Sequence, residues 1–259
     1  MLLNRNKINQ LLVTNPDAIL TSIWLEKHGY SRQLVRHYVS HGWLRKLAHG
    51  AFIKLAERPS WADGVVALQQ QLGFQVHIGG RSSFELQGMM HYLSLSQMRL
   101  ITLYADRGER RKLPKWFTTA FLEVYYDAST LFNTAIGIES KEVGRCHLWV
   151  SSLERAVLEL LSDIKTDTDY EYACQLTEGL ILLRPSLMQQ LLEDCQINKI
   201  KRLFLYLAHQ YQLPVLDKLN VSKIDVGKGK YVIAGGGDYN SMYQLSVPLL
   251  NNTEINNVE

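Results

Sequence analysis

At the start of the chain, apolar residues recur at helical spacing and then switch to a shorter rhythm. Ile8, Leu11 and Leu12 share one face of a helix predicted over about 4–13. Asn15-Pro16 ends it, because the residue before a proline is pushed out of the helical region. Thr21 or Ser22 caps a second helix reaching Lys27, with Ile23, Trp24 and Leu25 expected to be partly buried. Gly29, free to take positive φ, supplies a turn, and Ser31 caps a third helix from Arg32 to about His41. Leu34, Val35 and Tyr38 fall on its inward face and leave Arg32, Gln33, Arg36, His37 and Ser40 outside. Gly42 closes this helix. Trp43 to Leu47 and Ala51 to Leu55 then read as two short strands around the turn Ala48-His49-Gly50. Trp43, Leu47, Phe52 and Leu55 are expected beneath the helices, with Arg45, Lys46, His49 and Lys54 pointing outward as a wing. Residues 1–56 thus predict a winged helix-turn-helix.

Beyond it, Glu57-Arg58-Pro59-Ser60 reads as a linker (57–60) into a larger domain over 61–248. Ser60 caps a helix from Trp61 to about Leu72, stopped by Gly73, and Gln75 to Ile78 is a strand. Gly79-Gly80 precedes a helix capped by Ser82 or Ser83. Strands are predicted at 99–104, 121–126 and 147–150, with the basic loop 107–116 between the first two. Ser151-Ser152-Leu153-Glu154 opens a strong helix with a capping box. Further helices are expected at 169–182, 185–194 and 199–212, the second begun by Pro185. A terminal hairpin pairs 230–233 with 243–247. The tail 249–259 is polar and expected to be disordered. The fold class is α+β, a winged helix-turn-helix followed by a larger mixed α/β domain.

Charge changes this picture more than composition does. With 259 residues, 46% hydrophobic and 20% charged, the chain reads as an ordinary soluble protein with room for two domains. The net charge of +3 conceals an asymmetry. Residues 1–60 hold nine Lys/Arg against three Asp/Glu, and no acid occurs between Glu26 and Glu57. An acid-free basic face on a compact helical module is what a nucleic-acid backbone attracts. On the third helix, Arg reaches guanine edges or phosphates, Gln reads adenine and Ser31 can donate to phosphate. The same face is also compatible with a solvated surface or a docking site for an acidic protein. Arg107, Arg110, Arg111, Lys112 and Lys115 form a second basic group, a solvated loop by default, with DNA or an acidic partner as its functional alternatives.

Catalytic chemistry finds no foothold. There is no GxSxG and no HExxH, and Cys146, Cys174 and Cys195 are far apart and form no metal pattern. The cysteines read as free thiols of a reducing cytosol, so the expected location is cytoplasmic, without membrane attachment, metal or cofactor. Gly79-Gly80-Arg81-Ser82-Ser83 and Gly227-Lys228-Gly229-Lys230 lack the spacing of a phosphate loop and read as structural turns.

The string GYSRQLVRHYVSHGWLRKLAHGAFIK, residues 29–54, resembles the N-terminal winged-helix domain of AbiEi-type antitoxins. These are partners of nucleotidyltransferase-like AbiEii toxins in bacterial abortive-infection modules of the type IV toxin–antitoxin class. The resemblance continues through 61–88, Leu113 to Phe117, SSLERAVLELL at 151–161, Glu178-Gly179-Leu180, Leu183-Arg184-Pro185, KIKRLFLYL at 199–207, Ser222 to Asp225 and Gly227 to Val232. In order and spacing it spans roughly 5–248. It implies a winged helix that binds operator repeats and represses the module's own promoter, and a C-terminal domain associated with neutralising the toxin. Carried to this chain, the DNA-facing residues are Ser31, Arg32, Gln33, Arg36, Arg45 and Lys46. The alternative is a plain transcriptional regulator whose C-terminal domain senses a ligand or a protein.

Overall fold

The fold is a computed structural model, which describes residues 7–14, 17–55, 57–89, 100–106 and 108–250. Contacts divide the chain into two units. One comprises 1–78, 92–129 and 140–150, the other 79–91, 130–139 and 151–259. Residues 61–78 therefore belong with the N-terminal module, and the linker expected at 57–60 lies inside a unit.

The first unit opens with helical residues 7–9, which widen into a π-helical turn, α1 (Gln10–Thr14), and place Ile8 and Leu11 in the core. Helix α2 (Ser22–Lys27) is capped by Thr21, whose hydroxyl accepts from the Trp24 amide; α3 (Arg32–Ser40) is capped by Ser31, whose hydroxyl accepts from the Leu34 amide. Gly29 stands at φ 79° between them, where a Cβ would strain the backbone. Of the apolar residues expected inside α2, Leu25 is buried while Ile23 is exposed.

The wing is β2 (Leu44–Ala48) and β3 (Ala51–Lys54), antiparallel, with a bulge between Lys46 and Ala48. A third strand, β1 (Ile19–Thr21), pairs with β3 and gives the order β1-β3-β2. Three fully buried residues cannot show alternation, so the pattern did not reveal it. Gln71 closes its outer edge: its Oε1 accepts from the Thr21 amide at 2.9 Å, and its Nε2 donates to Ile19 O at 2.7 Å and Asp17 Oδ2 at 3.1 Å. The parity of β2 also differs from expectation. Leu44 is buried and Trp43 is half-exposed, and Leu55 points to solvent. Adjacent apolar residues, Trp43-Leu44, leave strand parity undetermined.

A separate five-stranded sheet has the order β6-β5-β4-β8-β7, comprising β4 (Val76–Ile78), β5 (Ile101–Ala105), β6 (Val124–Asp127), β7 (Ile138–Val143) and β8 (Cys146–Ser151). β4 runs antiparallel to β5 and parallel to β8. β7 lies where no element was expected. Helix α4 (Trp61–Val66) continues as a π-helical turn, Ala67–Gln71, and starts with a capping box in which Asp63 accepts from the Ser60 amide at 2.7 Å. Arg145, in the turn between β7 and β8, bridges Asp63 and Glu57, so the 57–60 segment is pinned by charge. Gly64 is required by packing: a Cβ there would come within 3 Å of the Phe117 and Phe121 rings. Phe117 belongs to α6 (Lys115–Ala120), a short helix where a loop was expected; it packs against β2 and buries Trp116.

The second unit is helical. α5 (Gly80–Leu86), α8 (Asp167–Glu178), α9 (Pro185–Asp194) and α10 (Asn198–Gln210) surround α7 (Leu153–Ser162), which is buried from Glu154 to Leu161. Helix α5 begins at Gly80, earlier than the expected Ser82 or Ser83 cap; both serines are buried, and Ser83 donates to Ser151 O at 2.6 Å. At the start of α7 the cap is Ser152, and Glu154, expected in a capping box, closes none; its carboxylate takes the amide and guanidinium of Arg184. The C-terminal strands form no simple hairpin. β9 (Tyr231–Val232) runs parallel to β11 (Leu245–Val247), and β10 (Asp238–Asn240) antiparallel to it. Leu250 packs on the core of this unit, and the rest of the expected tail, 251–259, lies outside the described residues. Among the described residues no helix is long and apolar enough to cross a membrane.

Candidate nucleic-acid interface

Helix α3 is held by Val35 and Tyr38, which join Ile8, Leu11, Leu20, Leu25, Tyr30 and Leu44 in the core of the winged-helix part. Burying each such side chain stabilises by roughly 1.5–3 kcal/mol, enough to hold a nine-residue helix that could not persist alone. Ser31, Arg32, Gln33, Arg36, His37 and Ser40 are left exposed, as are Arg45, Lys46 and His49 of the wing. The predicted set is thus exposed, and Arg32, Arg36, Lys46 and His49 of it line one cavity.

Between α2, α3 and the wing lies an open cavity of about 630 Å³. Its floor is apolar, with Val35, Val39 and Phe52, and its rim carries the cations Arg32, Arg36 and Lys46 beside the His49 imidazole. The Ser22 amide donates to Gly50 O at 2.9 Å and fixes the start of α2 to the wing tip, where Gly50 turns at φ 92°. Glu26 brings a carboxylate to this rim, 3.8 Å from Arg32 Nη2. Both groups are exposed, so the pair contributes little to stability. Ser31 spends its hydroxyl oxygen on the helix cap, which sets α3 more than it offers a ligand.

Lys54, expected outward on the wing, is half-buried. Burial pushes its ammonium below the usual lysine range, while Glu57 and Asp17 pull it back. Burial in turn raises the Asp17 carboxyl, with the Gln71 hydrogen bond opposing. Lys54 therefore belongs to the seam beneath the wing. His37, by contrast, stands in an exposed aromatic group: its ring centroid lies 4.0 Å from that of His41 and 6.0 Å from that of Trp43. The sequence reading missed this group because it placed Trp43 in the core.

The second basic set separates. Arg107 lies outside the described residues. Arg111 is consumed structurally: it pairs with the buried Glu109 at 2.6 Å, donates to Leu72 O and Gly73 O, and lies 4.0 Å over the Phe74 ring. The Arg111 hydrogen bond holds the Glu109 carboxyl down at about 2. Arg110, Lys112 and Lys115 remain exposed, and Lys115 begins α6, the helix that supports β2.

The two glycine-rich turns are occupied by the protein itself. The Gly80 amide at the start of α5 donates to Glu159 Oε2 at 3.0 Å. Around 226–229 the polarity is the reverse of a phosphate site, because the carbonyls of Val226, Gly227 and Gly229 converge on the Arg202 guanidinium. The three cysteines are buried, and burial, with Asp63 alongside, pushes Cys146 up to about 11. Among the described residues no group of three or more His, Cys, Asp or Glu is placed to hold a metal ion.

Two profiles of one protein family match the chain. One is described as "Transcriptional regulator, AbiEi antitoxin N-terminal domain" and matches residues 4–95; the other, "Transcriptional regulator, AbiEi antitoxin, Type IV TA system", matches residues 99–248. No curated protein sequence matches. Among solved structures, the crystal structure of RV2827C protein from Mycobacterium tuberculosis is similar, with a TM-score of 0.55 at 12% identity over 95% of this chain and 92% of that one. At that identity the likeness is one of fold.

Proposed function

The chain belongs to the AbiEi antitoxin family of type IV toxin–antitoxin transcriptional regulators, and from that premise we propose that it is a cytoplasmic antitoxin that represses its own promoter. The winged helix binds operator DNA arranged as inverted repeats, through Arg32, Gln33, Arg36, His37, Arg45, Lys46 and His49, with Ser31 fixing the start of α3. Arg110, Lys112 and Lys115 add backbone contacts beside the wing. The partner whose toxicity it counters is a nucleotidyltransferase-like toxin of the AbiEii kind, and the reaction chemistry belongs to that partner.

The observation that carries this reading is the cationic rim of α3 and the wing. Arg36, Lys46 and His49 are exposed around one cavity, where a stable fold gains nothing from gathering them. Positive charge in a concave site attracts a polyanion by counterion release, and a helix-turn-helix supplies the shape that enters a major groove. The test is titration of the full chain with the DNA upstream of its own reading frame, beside a promoter–reporter assay. Affinity that falls steeply with salt, together with repression, is the expected result. Binding indifferent to salt, or an unrepressed reporter, overturns the operator reading. Co-expression with a nucleotidyltransferase-like toxin of the AbiEii kind from the same genome tests the other half, and growth arrest unrelieved by the chain overturns neutralisation.

A further inference from the structure

An α-helix turns about 100° per residue, so positions four apart share a flank and neighbouring positions do not. On α3 this makes two exposed rows. Arg32, Arg36 and Ser40 form one, and all three open onto the cavity whose opposite wall carries Lys46 and His49. Gln33 and His37 form the other, continued by His41 just past the helix end, and none of the three lines that cavity.

The rows also differ in chemistry. The first, with its opposite wall, is cationic above the apolar surface of Val39 and Phe52. That combination fits a sugar–phosphate strand, with deoxyribose against the floor and phosphates at the rim. The second is made of a carboxamide and two imidazoles, continued by Trp43, whose ring centroid is 5.6 Å from that of His41. The carboxamide suits a base edge, since Gln pairs bidentately with adenine N6 and N7, and His37 stands on the same row, away from the arginines and lysine of the cavity. His41 is anchored in place, its Nδ1 2.9 Å from His37 O.

We infer that α3 divides DNA recognition between its rows: Arg36, with Lys46 and His49, clamps one sugar–phosphate strand in the cavity, and Gln33 and His37 are the specificity-determining residues that read bases. Arg36 is thereby a grip and not a guanine reader. This rests on the DNA-binding reading above and assigns its parts.

The experiment selects duplexes from a randomised library on the full-length protein, then measures affinity for the winning duplex between about 50 and 200 mM KCl. Arg36→Ala is expected to select the wild-type motif while its log–log salt slope flattens by about 0.9, one phosphate contact. Arg36→Lys, which keeps the charge and loses the planar fork, is expected to restore the slope with the motif intact. Gln33→Ala is expected to keep the slope and lose discrimination at one base pair by about tenfold or more. A changed motif in Arg36→Ala or Arg36→Lys overturns the division, as does an unchanged motif with a flattened slope in Gln33→Ala. Wild-type binding with a full slope but no selected motif overturns the reading row alone. No wild-type binding at all brings down the DNA-binding proposal, and the division with it. All three substitutions fall on exposed positions, so loss of the fold does not mimic these outcomes.

Discussion

Arg36 on α3 and Arg155 on α7 occupy helices of similar length, yet one extends into solvent and the other is 2% exposed. Arg155 donates to Glu159 at 2.9 Å and to the carbonyls of Thr134 and Ile136, with its guanidinium 4.4 Å from the Phe132 ring centre. The second unit uses Arg155 as an internal staple, and the winged helix leaves Arg36 unspent. The difference lies in what surrounds each arginine. Arg155 has a carboxylate one turn later and a chain segment that offers carbonyls. α3 has no acid anywhere along its length, and the nearest carboxylate, Glu26, lies on another helix. A cation marks a ligand site when the fold has declined to pair it, and sequence charge alone does not report that.

The largest effect that tests this contrast is Arg155→Met. It strands the Glu159 carboxylate in a buried site that retains only the Gly80 amide and the Ser151 hydroxyl among its named donors. Breaking one side of a buried pair costs about 3–5 kcal/mol, to be read from the urea midpoint. Arg36→Ala should stay within about 0.5 kcal/mol of wild type in the same assay. A midpoint for Arg155→Met close to wild type would erase the distinction. Next in size is Arg202→Gln, which releases the carbonyls of Val226, Gly227 and Gly229. Water can reach part of this loop, so the expected loss is about 2 kcal/mol. Amide exchange should accelerate across 224–233 and remain at wild-type rates in α3. A uniform acceleration would mean that Arg202 is not a local staple.

The same logic explains what could be read in the sequence. α3 was legible because its signals are local: the Ser31 cap, the Gly29 turn and the 3.6-residue rhythm of Val35 and Tyr38. The helix 185–194 was legible for the same reason, with Pro185 at its first position. Strand β1 was not, because its edge is completed by Gln71, fifty residues away in the chain. Glu154 was read as a capping group because its true partner, Arg184, lies thirty residues further on. In the site, exposure of Arg32, Gln33 and Arg36 followed from helix periodicity, whereas Arg45 and Lys46, adjacent on β2, are both exposed where strict alternation would turn one inward. The structural commitment of Arg111 did not, since its partners include the Leu72 and Gly73 carbonyls, 39 and 38 residues earlier in the chain. The boundary at 57–60 was inferred from composition, and the Arg145 bridges that pin it come from a hairpin distant in sequence.

Arg111 supplies a smaller, pH-dependent test. Its hydrogen bond lowers the Glu109 carboxyl to about 2 from an ordinary 4.5. A depressed carboxyl contributes stability above its unfolded-state value and loses it as pH falls. Stability should therefore decline as pH drops from about 4.5 towards 2, and Glu109→Gln should flatten that limb while lowering stability at neutral pH. An acid limb of equal steepness in the variant would remove Glu109 from the staples and align it with the exposed surface charges.

Glu26→Gln is the smallest perturbation and addresses the boundary between the two classes of arginine. Glu26 is the carboxylate nearest the Arg32 guanidinium, and at 3.8 Å between exposed groups the pair is barely an interaction. As a staple, its removal would destabilise the winged helix. As an unspent cation with a nearby competitor, Arg32 would be released by the substitution, and the rim would lose a charge that repels phosphate. The second outcome is expected: a urea midpoint within about 0.5 kcal/mol of wild type, and tighter DNA binding at low salt whose advantage fades as ionic strength screens the exposed charge. Tighter binding that persists undiminished at high salt would point to a changed shape of the cavity and not to its charge.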